Sequence, residues 1–289
     1  MDKYHESFDK FAPSLPDEEV REKVTKLINE KFQENYTAEN LKLIHGCIDL
    51  TSLTSIDTKE SIWGLVESVN DFEGTSPDIP NVAAICTYPL FVETVKQALT
   101  ADKVKIDSVA GGFPAGQTFL EVKIAETGMA VMEGANEIDT VMNLGYFFEG
   151  NYEELTQEIE EIKASCRSAQ LKVILETGAL ASAENIRKAA ILSIFSGADY
   201  VKTSTGKGYP GATPEAVYTL CQVIKEYKEQ HDRMVGIKVS GGVRTAEEAI
   251  KYFIIVKEIL GEEWLKPEYF RIGASILRED ILQKLGIKL

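Results

Sequence analysis

Cysteine and histidine are scarce in this chain, and neither falls into a metal-binding pattern. The four cysteines, Cys47, Cys86, Cys166 and Cys221, lie far apart with no CxxC pair, so neither a zinc knuckle nor a disulfide framework organises the fold. The three histidines, His5, His45 and His231, share no helix face with a ligand at metal spacing. No metal is therefore expected, and any carbonyl chemistry would have to proceed without one. Basic residues are also short, with 31 Lys and Arg against 46 Asp and Glu and a formal net charge of −15. Such a surface repels nucleic acid and anionic membranes, so any phosphate site must be local. No apolar run approaches the roughly 18 residues of a membrane span, and the acidic start does not resemble a secretory signal. The expectation is a cytoplasmic protein with reduced thiols. The GxGxxG turn of dinucleotide-binding sheets is missing as well, and no cofactor is expected.

What is present is a rhythm. Across 289 residues with 44% hydrophobic content, strand candidates at about 44–50, 82–87, 104–109, 137–143, 171–176, 199–203, 234–239 and 269–273 alternate with helical patterns. The helical stretches are at about 58–71, 89–100, 117–134, 151–169, 182–196, 213–229, 245–260 and 275–285. Eight strand-then-helix units in roughly 245 residues match the size of an α/β (β/α)8 TIM barrel. The barrel is placed at residues 43–289, and residues 1–42 are a helical extension. Within the extension Val20, Val24, Leu27 and Ile28 form one apolar stripe, suited to packing on the barrel or on a second subunit. Monomer and homodimer both fit.

In such a barrel, site groups hang from the carboxyl ends of the strands. The stretch DYVKTSTGKG (199–208) places Lys202 where a short strand gives way to its loop, and MVGIKVSGGVRT (234–245) places Lys238 likewise on the next strand. Two neighbouring ammonium groups oppose each other's protonation, and an apolar surround favours a neutral, nucleophilic amine. One such lysine alone would be an ordinary solvated strand end. Period-2 alternation puts Asp139 and Asn143 on one face, and an inward Asp139 needs a cation such as Lys202 or Lys238. The set marks either a buried ion pair or a catalytic one. Asp49, Cys86, Glu176 and Ser275 complete the strand-end inventory. Gly206-Lys207-Gly208, Gly241-Gly242 and Gly273-Ala274-Ser275 follow the last three strands, and glycine loops there, with helix starts near Thr245 and Ser275, gather backbone N–H groups for a phosphate.

Over nearly all of residues 43–285 the chain resembles the deoxyribose-phosphate aldolase family, a class I, Schiff-base-forming group. The matching stretches are IDLTSL (48–53), NVAAICTYP (81–89), EIDTVMN (137–143), KVILETGAL (172–180), DYVKTSTGKG (199–208), VGIKVSGGVRTAEEA (235–249) and RIGAS (271–275). The resemblance implies Lys202 as the Schiff-base lysine, Lys238 as the lysine that perturbs it and Asp139 as the partner in proton transfer. It implies Asp49 and Cys86 at the substrate mouth, and Thr205, Gly206, Lys207, Gly241, Gly242 and Ser275 around the phosphate. The implied partners are small phosphosugar and aldehyde substrates. Relatives often carry a second serine after the first, where this chain has Ile276, and some end in a tyrosine tail, where it ends Ile287-Lys288-Leu289. The alternatives are another sugar-phosphate lyase or isomerase, with Glu176 as the one available general base, and a non-catalytic phosphosugar-binding barrel.

Overall fold

The computed structural model describes residues 3–287. Met1 and Asp2 of the acidic start, and the chain end at Lys288 and Leu289, lie outside the described residues. Three helices come first: α1 (Lys3–Phe8), α2 (Asp17–Asn35) and α3 (Ala38–His45). The first half of the barrel follows as β1 (Ile48–Thr51), α4 (Lys59–Phe72), β2 (Ala84–Thr87), α5 (Val92–Ala98), β3 (Lys105–Ala110), α6 (Leu120–Glu133) and β4 (Glu137–Val141). Next come α7 (Leu144–Glu149), α8 (Tyr152–Ser165), β5 (Gln170–Ile174), α9 (Thr177–Leu180), α10 (Ala183–Phe195) and β6 (Tyr200–Lys202). The chain closes with α11 (Pro214–His231), β7 (Gly236–Ser240), α12 (Ala246–Leu260), β8 (Phe270–Ala274) and α13 (Leu277–Lys284). The eight strands are parallel and close in sequence order, with β1 paired to both β2 and β8.

Local chemistry explains several of the helix starts. Thr58, Ser182, Thr213 and Thr245 each accept a backbone N–H of the first turn at the heads of α4, α10, α11 and α12, satisfying donors that the helix itself cannot. At α12 the Glu248 carboxylate reaches back to the Thr245 N–H, closing a capping box. The strands are buried almost throughout, so they lack a clean polar and apolar alternation, as expected of strands wrapped by helices.

The start of the first strand differs from the sequence expectation. The apolar run expected to open the first strand at about residue 44 instead closes α3, because Thr37 caps that helix through the Asn40 N–H and Gly46-Cys47 turns the chain before β1. The boundary at 42/43 thus falls inside α3. Gly46 permits this turn to lie on Pro80, where a Cβ would come within 2.7 Å of the proline ring. The short helices α7 and α9 occupy loops that carry no helical period of their own.

Candidate active site

Register fixes which side chains enter the barrel. Around the ring the paired positions run Cys86 to Asp107, Glu137 to Gln170, Asp139 to Lys172, Lys172 to Tyr200, Lys202 to Lys238 and Lys238 to Arg271. Residues paired this way face the same side of the sheet. Seven of the eight charged groups that meet there lie along this ring, and Asp49 of β1 joins them.

Four carboxylates, those of Asp49, Asp107, Glu137 and Asp139, face four cations, Lys172, Lys202, Lys238 and Arg271. Lys238 Nζ lies 2.6 Å from Asp49 Oδ2, 2.7 Å from Asp107 Oδ2 and 2.8 Å from Asp139 Oδ2. Lys172 Nζ lies 2.7 Å from Glu137 Oε2, 3.0 Å from Asp107 Oδ1 and 3.1 Å from Asp139 Oδ1. Arg271 donates to Asp49 Oδ1 at 2.6 Å and to Glu137 Oε1 at 2.7 Å. Lys202 Nζ, on the last residue of β6, donates to Asp139 Oδ2 at 2.6 Å. With every group ionised the cluster is neutral, which is how this many charges can share a barrel interior.

Burial and neighbours act in opposite directions on these groups. Burial disfavours the Lys238 charge, but Asp107, Asp139 and Asp49 hold its ammonium well above the usual lysine range. Burial would raise the Asp139 carboxyl, yet Lys172, Lys202 and Lys238 hold it well below the ordinary carboxylate range. Asp107 moves the other way, raised by burial and by the charge of Asp139. Asp139 is thus held in its ionised form between three lysines.

Several expected site residues sit elsewhere than the sequence placed them. Lys238, expected at a strand end, lies in the middle of β7, paired in register with Lys202, and is fully buried. Asp49 and Cys86, expected at the mouth, also lie deeper. β1 continues to Thr51, so Thr51 reaches the rim while Asp49 pairs with Lys238 and Arg271. The Cys86 thiol packs with Leu53 and Val109 and is raised by burial and the Asp107 charge, which makes it an apolar filler, not a nucleophile. Asn143 leaves the site altogether and caps α7 by accepting the Tyr146 N–H at 3.2 Å.

The mouth holds a cavity of about 260 Å³ lined by Lys202, Gly206, Lys207, Gly241, Gly242 and Ser275, among others. The expected phosphate residues therefore converge on the cleft that holds Lys202. Lys207 reaches across it to donate to the Leu53 carbonyl at 2.6 Å. Gly241 lies at φ +91°, and a Cβ on the facing Gly211 would sit 2.1 Å from the Gly241 carbonyl oxygen. Only glycine allows these two backbones to meet. Ser275 is exposed in the loop before α13, which begins at Leu277 with Ile276 as an uncapped N-terminus, two residues later than expected. Thr205 lines the same cleft, but its hydroxyl is turned to Glu176 at 2.5 Å. A larger cavity of about 450 Å³ opens at the amino end of the strands, where Glu137 and Arg271 line it but no lysine at a strand's carboxyl end does.

Asp107, Glu137, Lys172 and Arg271 were absent from the strand-end inventory. Alternation points to two of them: Glu137 precedes Asp139 by two, and Lys172 precedes Glu176 by four. Arg244, which lines the cleft beside Gly242, sits one residue before a helix cap and carried no separate signal. Two acidic triads, Cys86 with Asp107 and Asp139, and Asp49 with Asp107 and Glu137, are close enough to suit a metal ion. Lysine ammonium groups already occupy the space between their oxygens.

A family model for DeoC/LacD family aldolases matches residues 48–284. The human deoxyribose-phosphate aldolase is 38% identical over 248 residues, covering 82% of this chain and 78% of the human protein. Among solved structures, "QR15, an Aldolase" matches with a TM-score of 0.68 at 31% identity, covering 84% of this chain and 97% of that one. The deoxyribose phosphate aldolase of Aeropyrum pernix, described as having a unique tetrameric structure, matches with a TM-score of 0.67 at 27% identity over 90% and 97% of the two chains.

Proposed function

Because the chain belongs to the DeoC/LacD family and is an aldolase, a carbon–carbon lyase, we propose that it cleaves 2-deoxy-D-ribose 5-phosphate reversibly to acetaldehyde and D-glyceraldehyde 3-phosphate through a Schiff base on Lys202. The observation that carries this reading is the contact of Lys202 Nζ with Asp139 Oδ2 at 2.6 Å, at the rim of a cleft walled by glycine loops. The amine of Lys202 attacks the aldehyde carbon of the open-chain sugar, and loss of water gives an iminium. The iminium withdraws the electron pair of the breaking carbon–carbon bond, releasing glyceraldehyde 3-phosphate and leaving an enamine. Protonation of the enamine and hydrolysis of the new iminium free acetaldehyde.

Asp139 supports each proton transfer. Among the described residues it is the one carboxylate bonded to both Lys202 and Lys238, so it can relay protons through a water to the substrate hydroxyl. The iminium carries the same positive charge as the ammonium it replaces, so the cluster stays neutral when the covalent intermediate forms. Lys207, Ser275 and the amides around Gly206, Gly241 and Gly242 hold the phosphate, and Lys207 must exchange the Leu53 carbonyl for it. Binding at the phosphate then orients a carbon several bonds away.

The isomerase alternative needs a free general base, and the Glu176 carboxylate is engaged by Thr205. The deciding experiment is intact-protein mass and peptide mapping after acetaldehyde and borohydride. A two-carbon adduct on Lys202 is expected. Lys202→Leu should lose it and lower cleavage by roughly a thousandfold or more, the scale seen when a covalent nucleophile is removed. A folded wild-type protein without the adduct would overturn the Schiff-base reading in favour of a sugar-phosphate isomerase or a phosphosugar-binding barrel.

A further inference from the structure

Glu176 is buried, with 2% of its surface exposed, and its backbone lies in the left-handed region at φ 54°, ψ 60°. A non-glycine residue keeps that conformation only where its surroundings impose it. Here they do so from the neighbouring loop. The Thr205 hydroxyl donates to Glu176 Oε2 at 2.5 Å and the Thr205 N–H to Oε1 at 3.2 Å. The same hydroxyl accepts the Lys207 N–H at 3.0 Å. Two backbone contacts tie the loops again: the Thr177 N–H donates to the Thr203 carbonyl at 2.8 Å, and Gly178 lies so close to Pro210 that a Cβ would sit 2.2 Å from its carbonyl oxygen.

We propose that Glu176 is a positioning residue, a latch that acts through Thr205 to fix the loop between β6 and α11 in the shape that presents Gly206 and Lys207 to the substrate phosphate. The inference rests on the aldolase reading of the cleft and assigns Thr205 a different part from the one the sequence implied. Its hydroxyl is committed to Glu176 and to the Lys207 N–H, so it shapes the phosphate loop instead of touching the phosphate.

The sign of one substitution separates this role from plain electrostatics. Glu176→Gln removes a negative charge close to the phosphate site, and on charge alone it should tighten phosphate binding. As a latch, it should weaken it. The readout is calorimetric titration with glycerol 3-phosphate, which carries the phosphate ester but no carbonyl, alongside borohydride trapping of acetaldehyde on Lys202. The expected result for Glu176→Gln is at least a fivefold loss of glycerol 3-phosphate affinity, several times larger than any loss of trapping.

Thr205→Val removes the same bond from the loop side and should show the same split, and it decides the matter if Glu176→Gln does not fold. The double variant should lose little beyond either single one, as for two members of one interaction. Unchanged or tighter phosphate binding overturns the latch, as does an equal loss in titration and trapping. If the wild-type protein traps no acetaldehyde, the aldolase reading fails while the titration still decides the latch.

Discussion

Asp139 shows how much a single side chain carries in this barrel. Its Oδ1 accepts from Lys172 at 3.1 Å, and its Oδ2 from Lys202 at 2.6 Å and Lys238 at 2.8 Å. Asp139→Asn leaves three ammonium groups around a neutral amide. The expected cost is about 3–5 kcal/mol, the range for stranding buried charge, together with loss of cleavage. Urea unfolding of the variant measures the first and a coupled turnover assay the second. His45 makes a separate pH prediction. It is fully buried, donates from Nδ1 to the Pro80 carbonyl at 2.7 Å and packs on Phe72, and burial lowers its pKa from 6.5 to about 4. Between those values the unfolded chain binds a proton that the folded chain does not, so stability rises with pH there and falls on acidification. The full effect is about 3 kcal/mol. His45→Asn, which keeps a donor for Pro80, should flatten the dependence of thermal midpoint on pH between 6.5 and 4.

At the scale of elements, the cleft beside Lys202 depends on loops that touch through backbone. The Gly241 region lies against Gly211, the Ala212 N–H donates to the Ser240 and Gly241 carbonyls, and the Ser240 N–H donates to Thr203 Oγ1 at 2.9 Å. Gly211→Ala puts a methyl 2.1 Å from a carbonyl oxygen, and the loop has to move. The expected result is about 2 kcal/mol of destabilisation, roughly 3 °C in Tm for a domain of this size, with KM for the phosphorylated substrate raised more than kcat is lowered. Calorimetry and steady-state kinetics on one preparation check both. The helix caps belong to the same scale and follow from Thr and Ser at the right offsets. The glycine contacts need the two loops in place before they mean anything.

At the scale of the molecule, the helical segment before β1 is part of the same packed body. Val20 and Val24 of α2 are buried with the core, and Phe11 lies edge-on to Phe195 with the Arg187 guanidinium over its ring. Polar ties add direction: the Ala183 N–H donates to Asp17 Oδ1 at 2.7 Å, Tyr36 donates to Glu247 at 2.9 Å and Lys257 donates to Asn35 at 3.1 Å. Phe11→Ala should cost about 3 kcal/mol, as for other buried aromatic truncations. Removing residues 1–36 should uncover the apolar faces of α11 and α12 and produce light scattering on heating well below the parent's Tm. Among the described residues no helix is long and apolar enough to cross a membrane.

The order of strands and helices, the barrel and the convergence of Lys202 with the glycine loops were legible in the sequence. Each depends on a period, a cap or a turn residue acting within a few positions. Tertiary structure decided what depends on depth and on partners distant in sequence. It placed Lys238, Asp49 and Cys86 below the rim, because strand ends are set by cross-strand pairing and not by where an apolar run stops. It brought Lys172, Arg271, Asp107 and Glu137 into one neutral cluster, since the sign of a buried charge is chosen by neighbours on other strands. It also turned Thr205 toward Glu176, because a hydroxyl in a loop bonds to whatever the neighbouring strand end presents.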